Sequence, residues 1–124
     1  MPQQIIPDIQ AQLNILRASL DGELHTGTAM RTLYATDASV YREMPLAVAI
    51  PEHKEDIKQL ILFAKTAGTS LIPRTAGTSL AGQCVGDGIV VDTSRHLNRI
   101  LAVDKEAGTV RVQPGVVRDE LNHF

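Results

Sequence analysis

The chain has 124 residues, 44% of them apolar, and a formal net charge of −2 with its basic residues unclustered. That size fits one domain or part of one, and that apolar share supports a packed core rather than disorder. The charge argues against a general nucleic-acid surface, the single cysteine, Cys84, excludes an internal disulfide or a cysteine-ligated cluster, and the four histidines lie far apart without metal-ligand spacing.

The amino terminus, MPQQIIPDIQ, shows no basic region followed by an apolar core, and no run approaches the roughly 18 apolar residues of a membrane span. A cytoplasmic location is the default expectation. Asp8 can cap a helix over Ile9 to Leu20, with Ile9, Leu13, Leu16 and Leu20 on one stripe, and Asp21-Gly22 ends it. The polar stretch after His25 fits a short helix around Met30 to Tyr34 and then loop. Pro45 opens an apolar run that suits a buried strand over Ala47 to Ile50.

The next segment carries the clearest period. Glu55 and Asp56 fall in the first turn of a helix, Ile57, Leu60, Ile61 and Ala64 recur at helical spacing, and Gly68 terminates it. Leu71 and Ile72 begin a second strand. Strand, helix, strand makes a parallel βαβ unit with an expected right-handed crossover. The loop IPRTAGTSLAGQ leaves the carboxyl end of that second strand, where open α/β sheets present ligands.

Downstream, Gly88 to Asp92 reads as strand. Ile100 to Val103 and Thr109 to Gln113 read as a hairpin with Gly108 at a position needing positive φ. Val116 to Phe124 looks like the start of a helix. It is shorter than the usual length of about 11 residues, so a truncated product of a longer protein is expected.

Gly77, Gly82, Gly86 and Gly88 allow close backbone approach, and successive N–H groups in such turns can form an anion nest. Thr75, Thr78 and Ser79 add hydroxyls, and Arg74 adds a charge. The loop is neither a Walker loop nor GxGxxG. On the residues alone, a bound phosphate or pyrophosphate and a merely structural turn both remain open.

The segments YATDASVYREMPLAVAIPEHKEDI, LIPRTAGTSLAGQ, IVVDTSRHLNRIL and VRVQPGVVRDELN resemble the FAD-binding domain of FAD-linked oxidases of the vanillyl-alcohol oxidase/p-cresol methylhydroxylase (PCMH) type. The similarity points to the glycolate oxidase and D-lactate dehydrogenase branch and covers residues 34 to 124. It implies an α+β fold: a parallel βαβ subdomain followed by the start of an antiparallel-sheet subdomain. Residues 1–46 would be a helical and loop segment, and 47–124 the first part of the FAD-binding domain.

The resemblance further implies that the loop wraps the FAD pyrophosphate through Arg74, Thr75, Ala76, Gly77, Thr78 and Ser79, with Gly82 and Gln83 beside the flavin. Many relatives have glycine where Thr75 stands, so either Thr75 takes a β-like backbone or the loop is displaced. Some relatives attach the flavin through a histidine at the position of Thr78; its absence implies noncovalent FAD. The implied parent oxidises a small 2-hydroxy acid to the 2-oxo acid and passes electrons to an acceptor. An alcohol, sugar or cell-wall-precursor oxidoreductase of the same fold is the alternative, and a non-enzymatic anion- or nucleotide-binding module a second. An iron–sulfur centre would belong to a region beyond residue 124, as would the catalytic residues, so none is nominated and no turnover is expected from these residues alone. Peripheral membrane association would come only through a parent complex. Weak FAD binding and self-association are expected of the isolated chain.

Tyr34, Asp37, Ser39 and Tyr41 resemble a family run and are either a hydrogen-bonded loop or a cofactor contact. Asp92 is either a turn cap or ion pair, or a cofactor contact. Cys84 reads as a small packing residue, His96 as a surface or packing histidine, and Pro114-Gly115 as a strand turn or an adenine-side wall.

Overall fold

The computed structural model describes residues 8–124; the first seven residues, part of the amino-terminal stretch just discussed, lie outside it. Helix α1 spans Ile9–Ser19, with the Asp8 carboxylate accepting from the Gln10 N–H at 3.1 Å and Leu13 and Leu16 buried. Strand β1, Glu23–His25, follows, and then the short helix α2, Thr28–Leu33. Strand β2 covers Ala47–Ile50 and helix α3 covers Lys54–Ala67. Gly68 ends α3 in the left-handed region at φ +70°, a conformation glycine adopts without Cβ strain. Strands β3, Leu71–Arg74, and β4, Ile89–Asp92, complete the first sheet. Strands β5, Ile100–Asp104, and β6, Thr109–Val112, form a hairpin, and helix α4 spans Arg118–His123. No helix among the described residues is long and apolar enough to cross a membrane.

The first sheet has the order β1-β2-β4-β3. The two strands flanking α3 run parallel, as expected, but they are not neighbours, because β4 lies between them and is parallel to both. Composition explains the order. All four residues of β4 are buried, whereas β3 carries an exposed proline. Ser70 and Arg74 accept from the N–H groups of Ile89 and Thr93, so Pro73 falls at the alternate position whose missing donor faces outward. A proline of that kind is tolerated on an edge.

β1 has no strand signal of its own beyond three residues with Leu24 inward. It pairs antiparallel with β2 because its entry is pinned. The Asp56 carboxylate, at the start of α3, accepts from the N–H groups of Asp21, Gly22 and Glu52, each at 2.9 Å. Gly22 passes so close to β2 that a Cβ there would sit 2.3 Å from the Ile50 carbonyl oxygen. Asp56 is thus more than a helix-start charge: it ties three chain segments together.

Both faces of the sheet are covered, which is why β2 and β4 read as unbroken apolar runs. Ala47, Ala49, Ile89 and Val91 face Leu13 and Leu16 of α1 and Leu60 of α3. The alternate residues Val48, Ile50 and Val90 are fully buried on the other face. The hairpin is different. Its strands pair as expected, with a register irregularity between Ile100 and Ala102 and Gly108 at φ +65°, yet almost all its side chains are exposed.

Candidate functional site

The long connection from β3 to β4, residues 75 to 88, begins at the carboxyl end of the sheet. Among the described residues, no backbone N–H from Thr75 to Leu80 donates to another protein group. Six successive unpaired amides at the end of a parallel strand form a donor-rich concavity suited to an anion. Gly77 sits in its middle at φ +68°. No non-glycine residue has positive φ, so Thr75 takes an ordinary backbone and needs no glycine. The Thr75 and Thr78 side chains are exposed and carry no internal bond, leaving both hydroxyls available.

Ser79 is committed differently. Its Oγ donates to Gln83 Oε1 at 2.7 Å and accepts from the N–H groups of Ala81 and Gln83, each at 3.3 Å. This local turn folds the Gln83 side chain back on the loop. Gly82, at φ +74°, lies against Tyr41, where a Cβ would meet ring carbon Cδ2 at 2.7 Å. Tyr41, Arg42, Glu43, Ala81, Gly82 and Gly86 line an open cleft of about 470 Å³ beside the loop.

Arg74 does not point its donors simply into the amide concavity. Its Nη1 donates to the Thr36 carbonyl at 2.7 Å and to the Cys84 carbonyl at 3.4 Å. Its guanidinium also stands over the Tyr34 ring, 5.1 Å from the centroid. Tyr34 donates its hydroxyl to Asp92 Oδ2 at 2.6 Å, and Asp92 Oδ1 accepts from the Ser94 N–H and hydroxyl. Asp92 is therefore a turn cap that also anchors a tyrosine. Burial pushes its carboxyl up, but the Ser94 and Tyr34 donors outweigh that and hold it below the usual carboxylate range. The same burial and the Asp92 charge push Tyr34 up to about 12.

The segment from residue 35 to 46, the front loop, is stitched to the glycine-rich loop. The Ala38 N–H donates to the Gly77 carbonyl at 3.1 Å, and the Cys84 N–H to Asp37 Oδ2 at 3.4 Å. Asp37 also accepts from the Ser39 N–H and hydroxyl, and these donors hold its carboxyl below its ordinary value against the opposing effect of burial. Tyr34, Asp37 and Ser39 are thus a hydrogen-bonded frame around the loop.

His96 lies 3.9 Å from Glu23 on the half-exposed surface. The Gly115 N–H donates to the Leu97 carbonyl at 2.7 Å, so Pro114-Gly115 turns the chain back beside Leu97. The fold does bring one histidine to carboxylates that sequence spacing kept apart: ligand atoms of Asp21, His53 and Asp56 lie within 4.8 Å of one another. Both Asp56 oxygens accept backbone donors and Asp21 Oδ2 contacts His53 at 2.6 Å, so the group acts as an anchor for the β1 entry.

The profile of a family described as FAD binding domain matches residues 45–124. The chain belongs to this family. The chain is 39% identical over 123 residues to D-2-hydroxyglutarate dehydrogenase of Escherichia coli, covering 94% of this chain and 12% of that protein. It is 33% identical over 115 residues to glycolate oxidase subunit GlcD of Bacillus subtilis, covering 91% of this chain and 24% of the subunit. The chain thus spans about an eighth of the dehydrogenase. Among solved structures it resembles alkyldihydroxyacetonephosphate synthase, with TM-score 0.79, 19% identity, and 92% and 24% of the two chains covered. It also resembles p-cresol methylhydroxylase, with TM-score 0.78, 15% identity, and 93% and 24% covered. These likenesses establish the fold: a parallel core sheet with an antiparallel subsheet, as in part of a PCMH-type FAD-binding domain.

Proposed function

We propose that the Thr75–Ser79 amides cradle the pyrophosphate of a noncovalently bound FAD in an oxidoreductase that converts a small 2-hydroxy acid into the 2-oxo acid. The observation that carries this is the run of unpaired N–H groups centred on Gly77 at the carboxyl end of β3. The residues fit the group. The centre of the cradle has no Cβ, the flanking Thr75 and Thr78 hydroxyls are free to donate, and Gly82 leaves an open cleft alongside for a planar ring. Bound FAD would supply the hydride acceptor; this chain's own task is to hold and orient it.

The substrate class rests on relatives whose names specify 2-hydroxyglutarate and glycolate. A one-sided cleft leaves most of a dinucleotide exposed, so the 124 residues alone are expected to bind FAD more weakly than micromolar. A micromolar or tighter 1:1 complex by calorimetry would overturn that expectation.

Gly77→Val tests the cradle. The added side chain would meet the Arg74 guanidinium, since a Cβ would stand 2.4 Å from Nη2, and valine resists φ +68°. FAD affinity of the intact parent should fall about 10-fold or more, a change of only about 1.4 kcal/mol. Unchanged affinity with an intact circular dichroism spectrum sinks the assignment. Anaerobic bleaching of the parent's flavin by 2-hydroxyglutarate, lactate or glycolate tests the substrate class, and failure of all three would reject it.

A further inference from the structure

We propose that Arg74 is a positioning residue: its guanidinium clasps the front loop to the glycine-rich loop and so sets the spacing of the Thr75–Leu80 amides, instead of serving as the charge partner of the bound anion. This rests on reading those amides as the pyrophosphate cradle.

Four contacts converge on one side chain. Nη1 bridges the Thr36 carbonyl of the front loop and the Cys84 carbonyl at the far end of the glycine-rich loop. The guanidinium stands over the Tyr34 ring, and Tyr34 is fixed through its hydroxyl to Asp92. Asp92 ends β4 directly across from Arg74 at the end of β3, so the clasp is rooted at both ends in the sheet. The fourth contact is Gly77 itself. A Cβ there would stand 2.4, 2.7 and 2.9 Å from Nη2, Cζ and Nε, so the backbone of the cradle's central residue rests directly against the guanidinium.

The glycine therefore answers to two requirements, a positive φ and close approach to Arg74. The Gly77 carbonyl, turned toward the front loop, accepts from Ala38. A planar cation that bridges two carbonyls, faces a ring and supports a glycine backbone uses properties specific to arginine; lysine offers a point charge without the plane.

Amide-resolved hydrogen exchange on the chain without cofactor separates positioning from charge pairing, because the clasp acts before any anion binds. In Arg74→Ala, the Ala38 and Glu43 amides, which donate to Gly77 and Ala35 across this frame, should lose protection about 10-fold or more, while Val48 and Val90 in the sheet keep theirs. Shifts of the Thr75–Leu80 amides on adding inorganic pyrophosphate should need about 10-fold more ligand. Arg74→Lys should fall between the two proteins on both measures.

Wild-type loop protection in Arg74→Ala, with weakened pyrophosphate binding, makes Arg74 a charge partner and overturns the proposal while leaving the cradle intact. Should Arg74→Ala also lose sheet protection, Arg74→Lys decides: a protected sheet with a loosened loop supports the clasp, and a wild-type loop or an unfolded sheet overturns it. Failure of the cradle itself reads out separately, as an absence of pyrophosphate shifts at Thr75–Leu80 in the unsubstituted chain.

Discussion

The four-stranded sheet and the β5–β6 hairpin are built from similar apolar, β-branched residues but dispose of them in opposite ways. Every side chain of β2 and β4 is buried, one alternate set against α1 and α3 and the other on the opposite face. In the hairpin Leu101, Val103, Val110 and Val112 are all exposed. Both are hydrogen-bonded ladders, the hairpin with one register irregularity, so pairing alone does not account for the contrast. Burial does, and burial is what gives a sheet its stability. The sheet is the rigid support from which the glycine-rich loop springs, while the hairpin contributes almost nothing to the core that positions the site.

Truncation in the sheet's core is the strongest way to test this contrast. Leu60 is fully buried where α3 meets the sheet. Leu60→Ala should destabilise the fold by about 2–5 kcal/mol through lost transfer energy and a residual cavity. Urea unfolding followed by circular dichroism measures it, and a loss under about 1 kcal/mol would mean the α3–sheet contact is not the core it is taken to be.

The Asp56 anchor comes next. Removing its carboxylate strands three backbone N–H groups, and Asp56→Ala should cost about 2–3 kcal/mol. Burial raises the Asp56 carboxyl, but the donors from Glu52, Asp21 and Gly22 prevail and hold it below its ordinary value. A carboxyl lowered by folding stabilises fully above its unfolded value near about 3.9, and that stability is lost as pH falls through the lowered folded value. Asp56→Asn should flatten that acid limb of the stability curve; an unchanged limb would show that other carboxylates set it.

Tyr34 gives the opposite sign at alkaline pH. Its folded value is raised to about 12, so its contribution is full below the unfolded value near about 10 and disappears as pH climbs between the two. Absorbance titration of phenolate formation checks this. In Asp92→Asn the Tyr34 transition should move down toward the unfolded value; a transition that stays put would separate Tyr34 from Asp92.

The sheet was more legible than the site. Helix α3 announced itself because Leu60 and Ala64 recur on one face and Gly68 stops the chain. β1 did not, because three residues have no period and its place is fixed by Asp56, 31 to 33 positions later in the chain. The insertion of β4 between β2 and β3 depends on which strand can best lose contact on one side; Pro73 was the available clue. In the loop, glycine spacing signalled close backbone approach. The direction of the Arg74 side chain was invisible, because the carbonyls of Thr36 and Cys84 that it meets carry no mark in the sequence.

The smallest expected effects lie in the hairpin, and they complete the comparison. Val103 and Val110 are paired across β5 and β6, with 51% and 40% of their surfaces exposed. Truncating either removes little buried area, so only a cross-strand pair weakens, and such pairs contribute roughly 0.2–1 kcal/mol. Val103→Thr and Val110→Thr keep the β-branch that suits an extended backbone. Each should therefore change the unfolding free energy by under about 0.5 kcal/mol, as surface substitutions usually do. The comparison with Leu60→Ala is internal: same chain, same denaturant, same apolar chemistry, different burial. A threonine in the hairpin that destabilised the chain as much as the Leu60 truncation would show that these side chains are covered in solution by another copy. Sedimentation across concentration checks this: a concentration-dependent mass identifies the second copy, and a constant monomeric mass rejects it.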